Sequence, residues 1–242
     1  MKSEQNSENL VNPAYPKHVA LIVDGNRRWA KEKGFPTFEG HRKGIDALEK
    51  VLDTARGLGV RCVTAWVFST ENWARTEDEV KYLFGLFRSS LNKYRDKCLK
   101  EKIRFVHIGR KDRIEPDIIK ALENLENDTI DFTEYTFALA MDYGGHDELI
   151  RTISKISEKG LPLTEENIEN NLDTAGLPKI DFIIRTSGEQ RLSGFMSWQS
   201  AYAELYFPNV YFPDFTPDEF KKALDNYAKR DRRFGGDSKT KK

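Results

Sequence analysis

Short apolar runs rich in β-forming residues alternate along the chain with longer amphipathic stretches, which is typical of strands alternating with helices. The runs that predict strands are residues 18–23, 61–68, 103–108, 136–141, 181–184 and 203–207. Strands that alternate with helices favour a parallel sheet covered on both faces. The pattern therefore predicts an α/β fold, a single domain with a central, mainly parallel, six-stranded sheet flanked by helices.

Local signals predict where several of the helices begin and end. An apolar repeat at helical spacing over residues 45–58 predicts one helix, which ends at the neighbouring glycines. Thr76 and Glu79 form a capping box for a second helix that extends to about residue 100. The segment 216–219 repeats this start signal for a last helix that ends near residue 229.

Length and composition agree with one globular domain. The chain has 242 residues, of which 38% are hydrophobic and 32% are charged, and this composition excludes disorder for most of its length. We expect disordered tails at residues 1–12 and 237–242 and one catalytic domain at residues 13–236.

Charge and apolar runs limit the classes of partner. Lys and Arg number 39 and Asp and Glu also number 39, so a general nucleic-acid-binding surface is not expected. No apolar run approaches the roughly 20 residues of a membrane span, and no secretion signal is recognisable, which predicts a cytoplasmic protein. Cys62 and Cys98 are far apart and predict reduced thiols rather than a disulfide framework.

Polar clusters follow four of the predicted strands, at residues 24–29, 69–75, 142–145 and 185–191. In a parallel sheet the carboxyl ends of the strands lie at one edge, where loops and helix N-termini converge on ligands. Arginines bind diphosphate oxygens in bidentate fashion, and an aspartate can hold Mg²⁺ against phosphates. Residues 27–43 contain six basic and two acidic side chains, so the sequence predicts one or two diphosphate sites.

Structural interpretations of the same residues stay open at this stage. They are a capped turn at residues 24–26, a surface ion pair between Arg75 and Glu71, a turn at Gly144 and Gly145, core packing of Trp29 and Trp73, and core roles for His18 and His107. The coincidence of four polar clusters at four strand ends favours a site.

Other chemistries lack their motifs. The sequence contains no G-x-x-x-x-G-K-[ST] phosphate loop, no G-x-G-x-x-G after the first strand, no G-x-S-x-G elbow and no H-E-x-x-H helix. Adjacent aspartates are also absent, which argues against the Asp-rich metal site of helical, trans-type prenyltransferases.

Five ordered segments resemble the cis-prenyltransferases, most closely the bacterial undecaprenyl diphosphate synthase type. The segments are D-G-N-R-R-W-A at 24–30, G-H-R-K-G at 40–44, F-S-T-E-N-W at 68–73, R-T-S-G-E at 185–189 and A-Y-A-E-L-Y-F at 201–207. The resemblance covers about residues 16–236. It implies a homodimer with a hydrophobic tunnel that adds isopentenyl diphosphate to an allylic diphosphate primer, each addition forming a cis double bond.

The resemblance also implies residue roles. Asp24 and Asn72 would be catalytic, with Asn72 and nearby Ser69 assisting proton removal, and Asp24 and Glu204 would hold Mg²⁺. Substrate binding is expected from Gly25, Asn26, Arg27, Arg28, Trp29, His41, Ser69, Glu71, Trp73, Arg75, Arg185, Arg191 and Ser193. The segment 233–235, Arg-Phe-Gly, resembles the family's R-x-G end, which reaches over the partner's active site.

Three departures from the bacterial pattern affect the expected primer. Arg27 stands where glycine is frequent, Thr37 replaces an arginine that faces the primer diphosphate, and Gln190 replaces a histidine found near the metal in some members. Arg27 would compensate for the charge missing at Thr37.

The function expected from the resemblance is Mg²⁺-dependent elongation of a primer such as farnesyl diphosphate to about undecaprenyl length. The alternatives are a short-chain cis synthase and a non-catalytic subunit that binds polyprenyl diphosphates; a nucleic-acid binder is disfavoured. Transient contact with a membrane surface is compatible with a lipid product. The expected tunnel wall includes Val67, Val80, Leu83, Phe84 and Phe87, for which packing as ordinary helix core is an equal alternative.

Overall fold

The computed structural model describes residues 12–232 and contains one six-stranded sheet. The strands are β1 (His18–Ile22), β2 (Cys62–Ser69), β3 (Ile103–Ile108), β4 (Tyr135–Tyr143), β5 (Phe182–Arg185) and β6 (Glu204–Tyr206). Their order is β3-β4-β2-β1-β5-β6, and every pairing within the described residues is parallel. The predicted fold class is confirmed.

The helices cover both faces of this sheet. They are α1 (Asn26–Glu32), α2 (Thr37–Gly57), α3 (Glu77–Glu101), α4 (Pro116–Asp128), α5 (Gly145–Glu158), α6 (Glu165–Glu169) and α7 (Pro217–Ala228), with 3₁₀ segments at Thr70–Ala74 and Phe212–Asp214. Thr76 and Thr216 accept hydrogen bonds from the amides of Glu79 and Glu219, as the start signals predicted.

Helix α2 begins well before the predicted start at residue 45. Its first two turns carry Gly40, His41 and Gly44, which are buried although none extends the apolar repeat. Gly40 and Gly44 face α1 rather than the main core, because a side chain at either would collide with Asn26, and His41 lies beside Glu79 of α3. The apolar pattern therefore located only the part of α2 that packs on the sheet.

Two apolar layers enclose the sheet. The larger contains residues of α2, α3, α4 and α7, such as Val51, Phe84, Leu122 and Leu224. All nine residues of β4 are buried, as expected for a strand covered on both faces. The predicted core roles of His18 and His107 are confirmed, since both are buried. Apart from Asn12, the predicted tails and the Arg-Phe-Gly segment lie outside the described residues.

Candidate active site

The carboxylate of Asp24 lies where the ends of β1 and β5 meet. Arg185 donates to Asp24 Oδ2 from Nη2 at 2.8 Å and from Nε at 3.2 Å, although the two residues are 161 positions apart in the chain. Arg28, one helical turn further along α1, donates to Asp24 Oδ1 at 3.3 Å. Two arginines from different segments are thus held by one carboxylate.

Asp24 stays ionised at neutral pH. Partial burial raises the pKa of Asp24, but hydrogen bonds and charge from Arg185 and Arg28 outweigh the burial and leave its pKa below the ordinary value. The backbone of Asp24 is fixed as well, since its amide donates to Thr186 Oγ1 at 3.1 Å and its carbonyl accepts from the same hydroxyl at 2.7 Å.

A polar pocket with a volume of about 850 Å³ opens beside Asp24. It is lined by Val23, Asp24, Gly25, Asn26, Arg27, Arg28, Lys31, Gly34, Phe35, Pro36, Thr37, His41 and Arg75. Six of the predicted site residues therefore share this pocket with Asp24, and Thr37 and Arg27 line it together. Four cationic side chains against one carboxylate make the pocket suited to an anion such as a diphosphate.

Glu79 balances part of this positive charge from behind the pocket. Its carboxylate lies 3.0 Å from Arg75 Nη1, 3.4 Å from His41 Nε2 and 3.8 Å from Arg27 Nη1. Arg75 therefore pairs with Glu79 and not with Glu71, which is exposed. Burial and the charge of Arg75 lower the pKa of His41, so its ring is neutral at pH 7.

Close packing of α1 on α2 shapes the pocket. A Cβ at Gly40 would lie 2.0 Å from the carbonyl oxygen of Asn26, and one at Gly44 would lie 2.6 Å from Asn26 Oδ1. The G-x-x-x-G spacing of α2 thus lets the first turn of α1 approach its backbone. Gly25, which starts α1, has a φ of 103° and lies against the ring of Tyr211, a conformation that favours glycine.

A second group of anion-binding side chains adjoins the first through Arg185. Arg185 Nη1 donates to Ser193 Oγ at 2.8 Å and to the carbonyl oxygen of Arg191 at 2.7 Å. Arg191 itself pairs with Glu189, which also accepts from Arg28 Nη1 at 2.8 Å. The structure therefore brings Arg185, Arg191 and Ser193 to the same sheet edge as Asp24.

The predicted residues after β2 divide into two groups. Asn72 Oδ1 accepts the amide of Ser69 at 3.0 Å, so both lie at the carboxyl end of β2 as expected. Trp73 instead donates from Nε1 to Asp142 Oδ1 at 2.9 Å and stacks on Phe84. Trp73 is not among the residues that line the polar pocket.

Trp29 and Glu204 do not line the polar pocket either. Trp29 is 7% exposed and packs on Phe35. Glu204 pairs with Arg230 at 2.7 Å, and its register opposite Phe182 places it three residues before Arg185, about 10 Å along the strand. Within this chain the structure does not bring Glu204 to Asp24.

Among residues 12–232, no three His, Cys, Asp or Glu side chains cluster as a preformed metal centre. Mg²⁺ commonly takes one or two carboxylates and completes its shell with substrate phosphates and water. Asp24, ionised and beside the polar pocket, fits that mode of binding.

Two small apolar cavities continue from the polar pocket into the core. One is lined by Val23, Asn26 and His41, which also line the polar pocket, and by apolar residues of α2 and α3. The other shares Ile45, Leu48, Val67 and Phe87 with it and extends to residues of β3 and β4. Each has a volume of about 40 Å³. Of the predicted wall residues, Val67, Leu83 and Phe87 line a cavity, whereas Phe84 packs on Phe68 and Trp73.

Sequence reasoning missed several residues of this site. Glu79 was used only as a helix-start signal, although its position four residues after Arg75 allows an ion pair across one helical turn. Ser187, whose hydroxyl accepts from Arg28 at 2.6 Å, lies in the polar cluster at residues 185–191 but was assigned no role. Tyr211, which packs under the Arg28 guanidinium, has no signal in one sequence.

Comparison with known proteins identifies the class of enzyme to which this site belongs, a prenyltransferase. The family described as "Putative undecaprenyl diphosphate synthase" matches residues 22–235, and the chain belongs to this family. An isoprenyl transferase of Aquifex aeolicus is 42% identical over 221 residues, covering 91% of this chain and 96% of that protein.

Solved structures agree with this assignment. Lavandulyl diphosphate synthase from Lavandula x intermedia, solved with dimethylallyl diphosphate, is 33% identical with a TM-score of 0.86, and the match covers 93% of this chain and 100% of the other. A probable undecaprenyl diphosphate synthase from Campylobacter jejuni is 32% identical with a TM-score of 0.79, covering 91% of this chain and 98% of the other.

Proposed function

We propose that this prenyltransferase catalyses Mg²⁺-dependent condensation of isopentenyl diphosphate with an allylic diphosphate primer, farnesyl diphosphate being the first candidate. The observation that carries the proposal is the position of Asp24 between Arg28 and Arg185. The Asp24 carboxylate links the polar pocket, which suits the primer diphosphate, to the group formed by Arg185 and Ser193, which suits isopentenyl diphosphate.

The charges of the site suit this reaction. Ionisation of an allylic diphosphate builds negative charge on the leaving group, and fixed cations directed at it lower the barrier. Arg27, Arg28 and Arg75 line the pocket that would hold that group. Asn72, fixed by the Ser69 amide, is the proposed aid to proton removal from isopentenyl diphosphate.

Mg²⁺ is part of the proposal. Asp24 would hold it, and the bound ion would neutralise charge on the diphosphate oxygens. Glu204 would join the metal site only if a second chain or a rearrangement brought it there, since its carboxylate pairs with Arg230 in this chain.

The apolar cavities between α2 and α3 are the proposed path of the growing chain. Each isoprene unit adds about five carbons, whose burial contributes roughly 4 kcal/mol before losses. Two cavities of about 40 Å³ each hold little more than water-sized groups. A product of about undecaprenyl length therefore requires the side chains of α2 and α3 to move apart.

These small cavities favour a second candidate, a short-chain cis-prenyl diphosphate synthase. The lavandulyl diphosphate synthase that this chain resembles was solved in complex with dimethylallyl diphosphate, whose prenyl group has five carbons. A non-catalytic subunit stays an alternative, although Asp24, Asn72 and Arg185 are all present. Chromatography of the products separates long-chain from short-chain synthesis.

A homodimer and a cytoplasmic location belong to the same proposal. Ile150, Ile153, Leu163 and Tyr202 are exposed apolar side chains that a second copy could cover. No helix among the residues that the structure describes combines the length and the hydrophobicity that a membrane span requires.

The test is incubation of the protein with labelled isopentenyl diphosphate, Mg²⁺ and either farnesyl or dimethylallyl diphosphate. We expect extended lipid from wild type and loss of nearly all turnover in Asp24→Ala. Asp128→Ala is the matched control, because Asp128 also pairs with an arginine, Arg95 at 2.8 Å, but lies on α4. Normal turnover by Asp24→Ala contradicts its role, and an inert wild type with every primer contradicts chain elongation.

A further inference from the structure

A buried carboxylate at the end of β4 holds the segment that carries Asn72. Asp142 is fully buried and has a φ of 50°, which is unusual for a residue other than glycine and is tolerated best by Asp and Asn. Its backbone is fixed by the amide of Arg110, which donates to the Asp142 carbonyl at 3.0 Å. Its side chain accepts hydrogen bonds from Trp73 and Arg113.

The Trp73 indole is partly buried and contacts four neighbours. Its indole Nε1 donates to Asp142 Oδ1 at 2.9 Å, and the Arg113 guanidinium lies 5.7 Å from its ring centroid. Phe84 stacks on the ring at 5.2 Å, and Phe68 meets it edge-on at 5.2 Å. Hydrogen bonds to ionised groups are among the stronger ones in proteins, so the indole has little freedom to turn toward the polar pocket.

We propose that Asp142, Arg113 and Trp73 form a clamp that positions Asn72 for the reaction, with Trp73 acting through the backbone rather than by contact with substrate. Trp73 directly follows Asn72 in the 3₁₀ segment Thr70–Ala74, so a fixed indole fixes the Asn72 backbone. This inference rests on the proposed function of Asn72 and assigns to Trp73 a positioning role in place of the substrate contact expected from the sequence.

Trp73→Phe tests the clamp with the least disturbance. It keeps an aromatic ring between Phe68 and Phe84, and it removes the indole N–H together with one ring of the side chain, a loss that the control below shares. We expect kcat to fall about tenfold, while KM for both diphosphates stays within twofold, because Trp73 neither lines the polar pocket nor belongs to the Arg185 and Ser193 group. Asp142→Asn, which keeps an acceptor and tolerates the backbone conformation, should retain more activity than Asp142→Ala.

Trp66→Phe is the matched control. Trp66, which is buried where Trp73 is partly buried, donates its indole N–H to the end of β4 at the Tyr143 carbonyl (3.0 Å) and stacks on Phe195. Both variants lose one indole hydrogen bond and one aromatic ring, so both should lose thermal stability, Trp66→Phe at least as much as Trp73→Phe. Only Trp73→Phe should lower kcat.

A double-variant comparison tests whether Trp73 acts through Asn72. In the Asn72→Ala background, Trp73→Phe should cause no further loss of kcat, because the group that it positions is gone. The proposal would be overturned if the losses of kcat from Asn72→Ala and Trp73→Phe multiplied in the double variant. It would also be overturned if Trp73→Phe raised the KM for the primer and left kcat unchanged.

Hydrogen–deuterium exchange provides a measurement that does not depend on activity. The Ser69 amide bonds Asn72 Oδ1, so exchange in the peptide containing residues 69–74 should quicken in Trp73→Phe and stay unchanged in Trp66→Phe. Equal exchange in the two variants would overturn the clamp even if the wild type proved inactive. An inactive wild type with faster exchange in Trp73→Phe alone would contradict the proposed function while supporting the clamp.

Discussion

Substitution of Gly40 by alanine should disable the polar pocket from outside it. The added Cβ would lie 2.0 Å from the carbonyl oxygen of Asn26 and 3.2 Å from the Cβ of Ala30. An ordinary contact between carbon and oxygen is longer by roughly 1 Å or more. The clash involves backbone, so α1 must shift as a unit away from α2.

The expected magnitudes follow from that shift. Overpacking of this kind costs about 1–3 kcal/mol of unfolding free energy. A displacement of about 1 Å in groups that align substrate can lower turnover roughly 100-fold, and α1 carries Arg27 and Arg28, which line the pocket. We therefore expect Gly40→Ala to fold with a lowered Tm and to lose about 100-fold in kcat/KM for the primer.

Gly85→Ala is the control for this experiment. Gly85 lies inside helix α3, and a Cβ there meets nothing within 4 Å, so the change should raise stability by about 0.5–1 kcal/mol without changing activity. Thermal unfolding and initial rates at varied primer concentration measure both variants. If Gly40→Ala matched Gly85→Ala in stability and rate, the argument from α1–α2 packing would be refuted.

Three further predictions concern pH, charge and the apolar cavities. Burial lowers the pKa of His18 to about 4, so the stability that its neutral ring contributes is present above the unfolded pKa of about 6.5 and is lost as pH falls toward 4. Urea unfolding at pH 7 and 4.5 should show that His18→Gln reduces this acid-induced loss by about 2 kcal/mol, and equal losses would contradict it. Arg185→Lys keeps the charge but loses the paired guanidinium hydrogen bonds to Asp24, and it should lower turnover about 10- to 100-fold. Wild-type kinetics in this variant would contradict a role for the paired hydrogen bonds. Phe87→Ala opens both apolar cavities at a cost of about 3–5 kcal/mol and should shift chromatographed products toward longer chains, whereas an unchanged distribution would place the growing chain elsewhere.

Sequence reasoning located the sheet edge better than the side chains around it. Apolar runs predicted all six strands. The four inner strands are almost wholly buried, so no polar face interrupts their pattern. The start of α2 was misplaced because Gly40 and Gly44 serve a contact with α1 that apolar periodicity does not register. Apolar periodicity predicts a helix only where a stripe of apolar side chains packs on the core. Where two helix backbones pack closely, glycines stand in place of those apolar side chains, and the periodicity is lost.

Partner choice was the harder part of the site to predict. Trp73 lies in a motif beside Asn72, yet its indole turns to Asp142, 69 positions further along the chain. Arg75 could pair with Glu71 or Glu79 by spacing alone, and the fold selects Glu79. Such choices depend on which segments the sheet order brings together, and hydrophobic periodicity carries no information about them.

The distribution of carboxylates explains how a protein with equal numbers of acidic and basic residues can present a cationic pocket. Asp24, Glu79 and Glu189 each contact two or more basic side chains around the site. They hold the arginines in place before substrate arrives, so a diphosphate must replace or share these partners. The net gain on binding is then the difference between two sets of charged contacts, which favours a ligand with several oxygens over one with a single charge. Pyrophosphate should therefore inhibit the enzyme more strongly than phosphate at equal ionic strength, and equal inhibition by the two anions would contradict this account of the pocket.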